Sequence, residues 1–146
     1  MSEQGLEVLD STLQKTHEWI NSVAHVTHLD RPTAFKALRA VLHTLRDRLP
    51  LNEAAHFSAQ LPMLMRGLFF DGWRPADVPV KLSQEEFFQA VDALIWTPQS
   101  IDPVRVTRGV FSVINRHISP GEVEKVRSVL PRDLQALWPE PLAVSV

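Results

Sequence analysis

The chain contains no cysteine. That removes disulfides, thiolate metal sites and thiol nucleophiles together, and it fits a reducing compartment. Only five glycines stand against eleven prolines, so the connections are expected to be stiff and frequent. Excess charge of one sign is also missing. A formal net charge of -2 and a pI of about 6.3 provide no global basic field to gather nucleic acid or anionic lipid. No apolar run approaches the ~20 residues that a membrane-spanning helix needs. Glu3, Glu7 and Asp10 occupy the place where a secretion signal would carry a basic segment, so the expected location is cytoplasmic. The sequence holds no nucleophile elbow, phosphate-binding glycine loop or zinc-protease helix. No catalytic residue, cofactor or metal ligand is therefore assigned. His25 and His28 have an i, i+3 spacing, but two ligands rarely make a metal site, and they read as a water-exposed pair at a helix end.

What is present is amphipathic periodicity. A chain of 146 residues suits one domain, 1–146, and a domain of this size buries about 70% of the surface its unfolded chain exposes. Leu6, Leu9, Leu13, Ile20 and Val23 fall at steps of three and four, with Trp19 and Val26 widening the stripe, and predict a helix over roughly residues 4–27. Asp30 before Arg31-Pro32 caps the next helix. Phe35, Leu38, Leu42, Leu45 and Leu49 are the cleanest helical stripe in the chain and are expected to be central to the core. Asn52 is placed as a cap for a short third helix, and Pro62 starts a fourth. Ser83 with Glu86, and Ser119 with Glu122, each have the spacing of a capping box. The fold class is all-α.

Sliding the chain by 69 residues sets 39–69 over 108–138 without a gap. Arg39 meets Arg108, Glu53 meets Glu122 and Pro62 meets Pro131, with apolar positions agreeing throughout. A shift of 68 sets Glu18-Trp19-Ile20 over Glu86-Phe87-Phe88. The expected architecture is two tandem four-helix units, 4–70 and 83–138, joined by an apolar, proline-rich loop 71–82 and packed into one domain.

Leu61-Pro62 through Leu68-Phe69-Phe70-Asp71-Gly72-Trp73-Arg74-Pro75, with the later Leu130-Pro131 through Leu137-Trp138, resembles the bacterial domain-of-unknown-function family 2267. The resemblance covers most of the chain. It implies a helical bacterial protein and carries no established activity, so it transfers no catalytic residue.

Two sets of residues are singled out. Phe70, Asp71, Trp73 and Arg74 lie in the stretch Phe70 to Val80, which has no second copy. They form either a partner-binding corner or a wedge between the halves, with Gly72 supplying a positive φ and Asp71 bonding local amides. Arg39, Glu53, Arg108 and Glu122 are the charged identities kept between the aligned halves and are expected as ion pairs within each half. A basic strip, Lys36, Arg39, Arg46 and Arg48 with Arg66 and Arg74, is interrupted by acids and argues only weakly for nucleic acid. The favoured function is a non-enzymatic scaffold or interaction module acting through a protein partner or as a homo-oligomer. The alternative is a small-molecule binder or enzyme using a cleft between the halves.

Overall fold

A computed structural model describes residues 5–139. Among these residues there are eight α-helices and no strand: α1 (Glu7–Thr27), α2 (Arg31–Arg48), α3 (Leu51–Ser58), α4 (Met63–Phe70), α5 (Gln84–Leu94), α6 (Pro103–His117), α7 (Pro120–Ser128) and α8 (Arg132–Gln135). A single 3-10 turn, Pro75–Asp77, interrupts the connection between α4 and α5.

Local chemistry accounts for most of the boundaries. Asp30 accepts from the Thr33 backbone N–H and Asp102 from that of Val104, each just before a proline in the first turn. Ser83 and Glu86 form the full reciprocal box. At α7 only half of that box forms. Ser119 Oγ accepts from the Glu122 N–H, but the Ser119 N–H donates to Gln60 Oε1 at 3.0 Å, so Gln60 takes the role expected of Glu122. Asn52 does not cap α3, because the helix already begins at Leu51 after Pro50. α1 ends with His28 in the left-handed region, where the Leu29 N–H reaches back to Ala24 O.

The long helices α1, α2 and α6 meet pairwise, and α5 packs on α2 and α6. α4 lies against α1 and α2, and α3 against α7. Their shared interior is apolar: Val23, Leu45, Phe57, Phe69, Phe87 and Phe111 are fully or almost fully buried. Phe57 and Phe69 meet at 5.5 Å, and Phe111 stacks on Trp138 at 4.1 Å. Each such ring contributes about 1.5–3 kcal/mol by leaving water.

α1 departs from the expected core stripe. Its buried line is Thr12, Thr16, Trp19, Ile20, Val23 and Thr27, whereas Leu6, Leu9 and Leu13 are 43%, 56% and 48% exposed. Every residue from Gly5 to Ser11 is exposed. At about 1.5 Å per residue, the 21 residues of α1 outrun the 18 of α2 and the 15 of α6. Its first turns therefore extend past the helices that would cover them.

Candidate functional site

The sequence nominated the corner after α4, and the side chains there are largely occupied. Asp71 (φ -59°, ψ 122°) and Gly72 (φ +76°) form a type II turn closed by the Trp73 N–H donating to Phe70 O at 2.9 Å; glycine fits the position that requires positive φ. Phe70 and Trp73 are half-buried, 4.8 Å apart, and pack on the core. Asp71 bonds no local amide through its side chain; it pairs with Arg39 at 3.4 Å, both side chains well exposed. Arg74 turns to Asp77 at 3.0 Å on the surface. The structure thus packs Phe70 and Trp73 against the core and leaves Asp71 and Arg74 as exposed ion-pair partners.

Behind that corner, α2 supplies the cap that α4 lacks. Arg46, only 5% exposed, donates through Nη1 to Phe69 O at 2.9 Å and to Asp71 O at 2.8 Å, while its Nε reaches Asp47. His43 Nε2 lies 2.6 Å from Leu68 O. Burial lowers the His43 pKa, with Arg46 and Arg39 acting in the same direction and the bond to Leu68 and the charge of Asp47 opposing. These groups answer the orphan carbonyls at the C-terminus of α4. The Arg39–Glu53 and Arg108–Glu122 pairs do not form among the described residues. α4 runs along α2 and brings Asp71 to Arg39, while Glu53 Oε2 and Glu122 Oε1 are buried without a hydrogen-bond partner. Most of the basic strip has partners within the fold as well. Lys36 Nζ donates to Trp96 O and Arg66 Nε to Leu61 O.

A different region is open. Among the described residues ten large apolar side chains are exposed, and six of them, Leu6, Val8, Leu9, Leu13, Met63 and Leu64, lie on the first turns of α1 and the start of α4. The two segments touch, since the Leu64 N–H donates to Thr12 Oγ1 at 2.8 Å. Beside them is a groove of about 650 Å³. One wall is the α1 face carrying Glu7, Val8, Ser11 and Lys15; the other runs from Gln60 to Met63 and on to Arg66. Trp19 and His117 stack at 4.5 Å at the end of this groove. The His117 pKa is lowered, first by burial and also by Arg116, with Glu18 opposing. His117 from α6 and Gln60, whose Oε1 accepts from the Ser119 N–H, bring the start of α7 and the end of α6 to this groove. None of Phe70, Asp71, Trp73 and Arg74 lines it.

Sequence periodicity missed this region because it marks an apolar face without saying how far neighbouring helices reach. One signal was available. On the 68-residue shift, the first residue of α5, Gln84, falls opposite residue 16, so the residues of α1 before Thr16 are set against no helix. Trp96, 85% exposed between the end of α5 and Thr97-Pro98, was likewise not singled out.

The family described as "Uncharacterized conserved protein (DUF2267)" matches residues 16–137. The chain belongs to the DUF2267 family. No curated protein matches it. The DUF2267 match leaves residues 7–15 of α1 outside. Among the described residues of this DUF2267 protein no helix is long and apolar enough to cross a membrane, and no three His, Asp or Glu side chains gather to hold a metal.

Proposed function

We propose that the protein is a non-enzymatic interaction module whose contact surface is the overhanging start of α1 with the adjoining start of α4. The observation that carries this reading is the gathering of six of the ten exposed large apolar side chains at that one end. Scattered surface leucines are ordinary, whereas exposed apolar side chains collected at one end of a bundle beside a groove mark a binding surface. The overhang lies outside both the DUF2267 match and the internal alignment, so packing of the shared bundle does not account for its leucines. The rest of the chain acts as the scaffold. We read it as two related halves packed about a pseudo-twofold axis. Support comes from reciprocal packing: α1 lies on α6 as α5 lies on α2, while α2 meets α6 and α3 meets α7. The equivalent residues Arg46 and Asn115 each anchor the segment after their unit's last helix, Asn115 through Pro139 O and Trp138 Nε1.

The test is affinity purification from the native cell with the unaltered chain and with Val8→Lys/Met63→Lys. Both positions are exposed, so the bundle stays folded and the recovered protein partner is lost. If the two baits return the same proteins, this surface is not the contact. A second reading, a small-molecule site, is favoured by the convergence of Lys15, Glu18, Arg66 and His117 at the groove between the halves. Metabolites that raise the melting temperature of the unaltered chain but not of Lys15→Ala/Arg66→Ala would support it.

A further inference from the structure

The groove face of α1 is complementary to itself, and we propose that its partner is a second copy of this chain, the two α1 helices crossing antiparallel about a twofold axis at Ser11. The inference rests on the interaction-module reading above and names the partner of that surface's groove side, where Val8 and Met63 lie. Glu7, Ser11 and Lys15 stand at i, i+4 and i+8 on the wall of the groove, all exposed. An acid and a base thus sit one turn to either side of a small residue. A twofold axis at Ser11 places Glu7 of each copy opposite Lys15 of the other, giving two opposite-charge pairs from one register. The small side chain at the crossing point allows close approach of the helices. Val8 and Met63, each 51% exposed, flank the crossing and bury apolar surface in the facing groove.

Glu7 accepts from the Gly5 N–H at 3.0 Å and has a further partner besides; a carboxylate has two oxygens and about four lone-pair sites, so an added lysine shares it with them. Lys15 makes no hydrogen bond or ion pair to the described residues. The other exposed stripe of α1, Leu6, Leu9 and Leu13, is a poorer self-partner. Antiparallel pairing of leucine on leucine brings Asp10, which flanks the stripe, towards Asp10 of the second copy. Like charges approach on that face, whereas on the groove face the register sets Glu7 against Lys15 and leaves the exposed Glu18 beyond the pair.

The full chain has no cysteine, so single cysteines report the crossing cleanly. Ser11→Cys is expected to form a disulfide-linked dimer under mild oxidation, because residues at the axis come within bonding reach. Leu94→Cys, on the exposed end of α5, should not. Sedimentation of the unaltered chain at about 100 µM should approach twice the 16.5 kDa chain mass. Glu7→Lys and Lys15→Glu should each weaken the dimer by about tenfold, and the double exchange Glu7→Lys/Lys15→Glu should restore it. A monomer at that concentration overturns the proposal, as does Ser11→Cys crosslinking no faster than Leu94→Cys, or a double exchange that fails to rescue. If the chain stays monomeric while Val8→Lys/Met63→Lys still abolishes capture of a cellular protein, the second copy is refuted and the interaction-module reading stands. If neither effect appears, both fall.

Discussion

Gly109, in the middle of α6, faces the end of α1, and replacing it with alanine sets two opposing effects against each other. An ideal Cβ there would lie 2.7 Å from Thr27 Cγ2 and 3.4 Å from Val26 Cγ1. Glycine to alanine in a helix interior is worth about 1 kcal/mol in favour of folding, whereas overpacking a filled site costs about 1–3 kcal/mol. Thr27 cannot yield cheaply. It is buried, β-branched and held by a bond from its Oγ1 to Val23 O at 2.6 Å. Gly109→Ala is therefore expected to destabilise the protein by about 1 kcal/mol net. Thr27→Ser removes the obstructing methyl and keeps the hydroxyl. In that background the same glycine replacement should stabilise by up to about 1 kcal/mol, giving a coupling of roughly 2 kcal/mol. Urea unfolding of the four proteins of the cycle, followed by tryptophan fluorescence, measures it. If Gly109→Ala stabilises the protein with Thr27 intact, or the coupling is below about 0.5 kcal/mol, the close α1–α6 approach is not what glycine serves there.

Three further outcomes follow from the fold. Arg46→Met should cost about 3 kcal/mol, since two backbone carbonyls lose a buried donor, and hydrogen exchange should quicken first around residues 69–73; unchanged exchange there would show that Arg46 does not cap α4. Gly72→Ala should cost about 1 kcal/mol or more because alanine is strained at φ +76°, whereas an unchanged melting temperature would mean that the turn relaxes. Burial lowers both His43 and His117 below the ordinary value of 6.5. The unfolded chain then takes up protons first as pH falls, so their contribution is fully present above pH 6.5 and is lost as pH drops towards the lowered folded values. Urea midpoints from pH 8 to 5 should decline below 6.5, less steeply in His43→Gln/His117→Gln; equal slopes would exclude these two imidazoles.

Helices were legible wherever a stop signal and a sustained stripe coincided. Pro32 and the caps at Ser83 and Ser119 mark starts that the structure keeps, and Leu38, Leu42, Leu45 and Leu49 are buried as their spacing required, with Phe35 only partly so. Charged residues were not legible. Identity between aligned positions suggested Arg39 with Glu53, but which acid an arginine meets depends on how α4 lies along α2, and a one-dimensional alignment does not contain that. Exposure failed for a related reason. Leu6, Leu9 and Leu13 have the same rhythm as Ile20 and Val23, and only the length of the neighbouring helices separates covered from uncovered. The positive φ expected at Gly72 is there, because glycine alone carries no Cβ penalty in that region, whereas Asp71 meets Arg39 rather than the local amides.

The overhang of α1 also bears on how this protein can change. Because its first turns rest on almost nothing, substitutions among Glu7, Val8, Leu9, Asp10 and Ser11 leave the energy of the bundle nearly untouched. On the interaction-module reading, a new binding preference can therefore arise there without passing through an unstable intermediate. Two chains with interchangeable bundles could differ completely in what they hold, and the difference would be written in little more than two turns of helix.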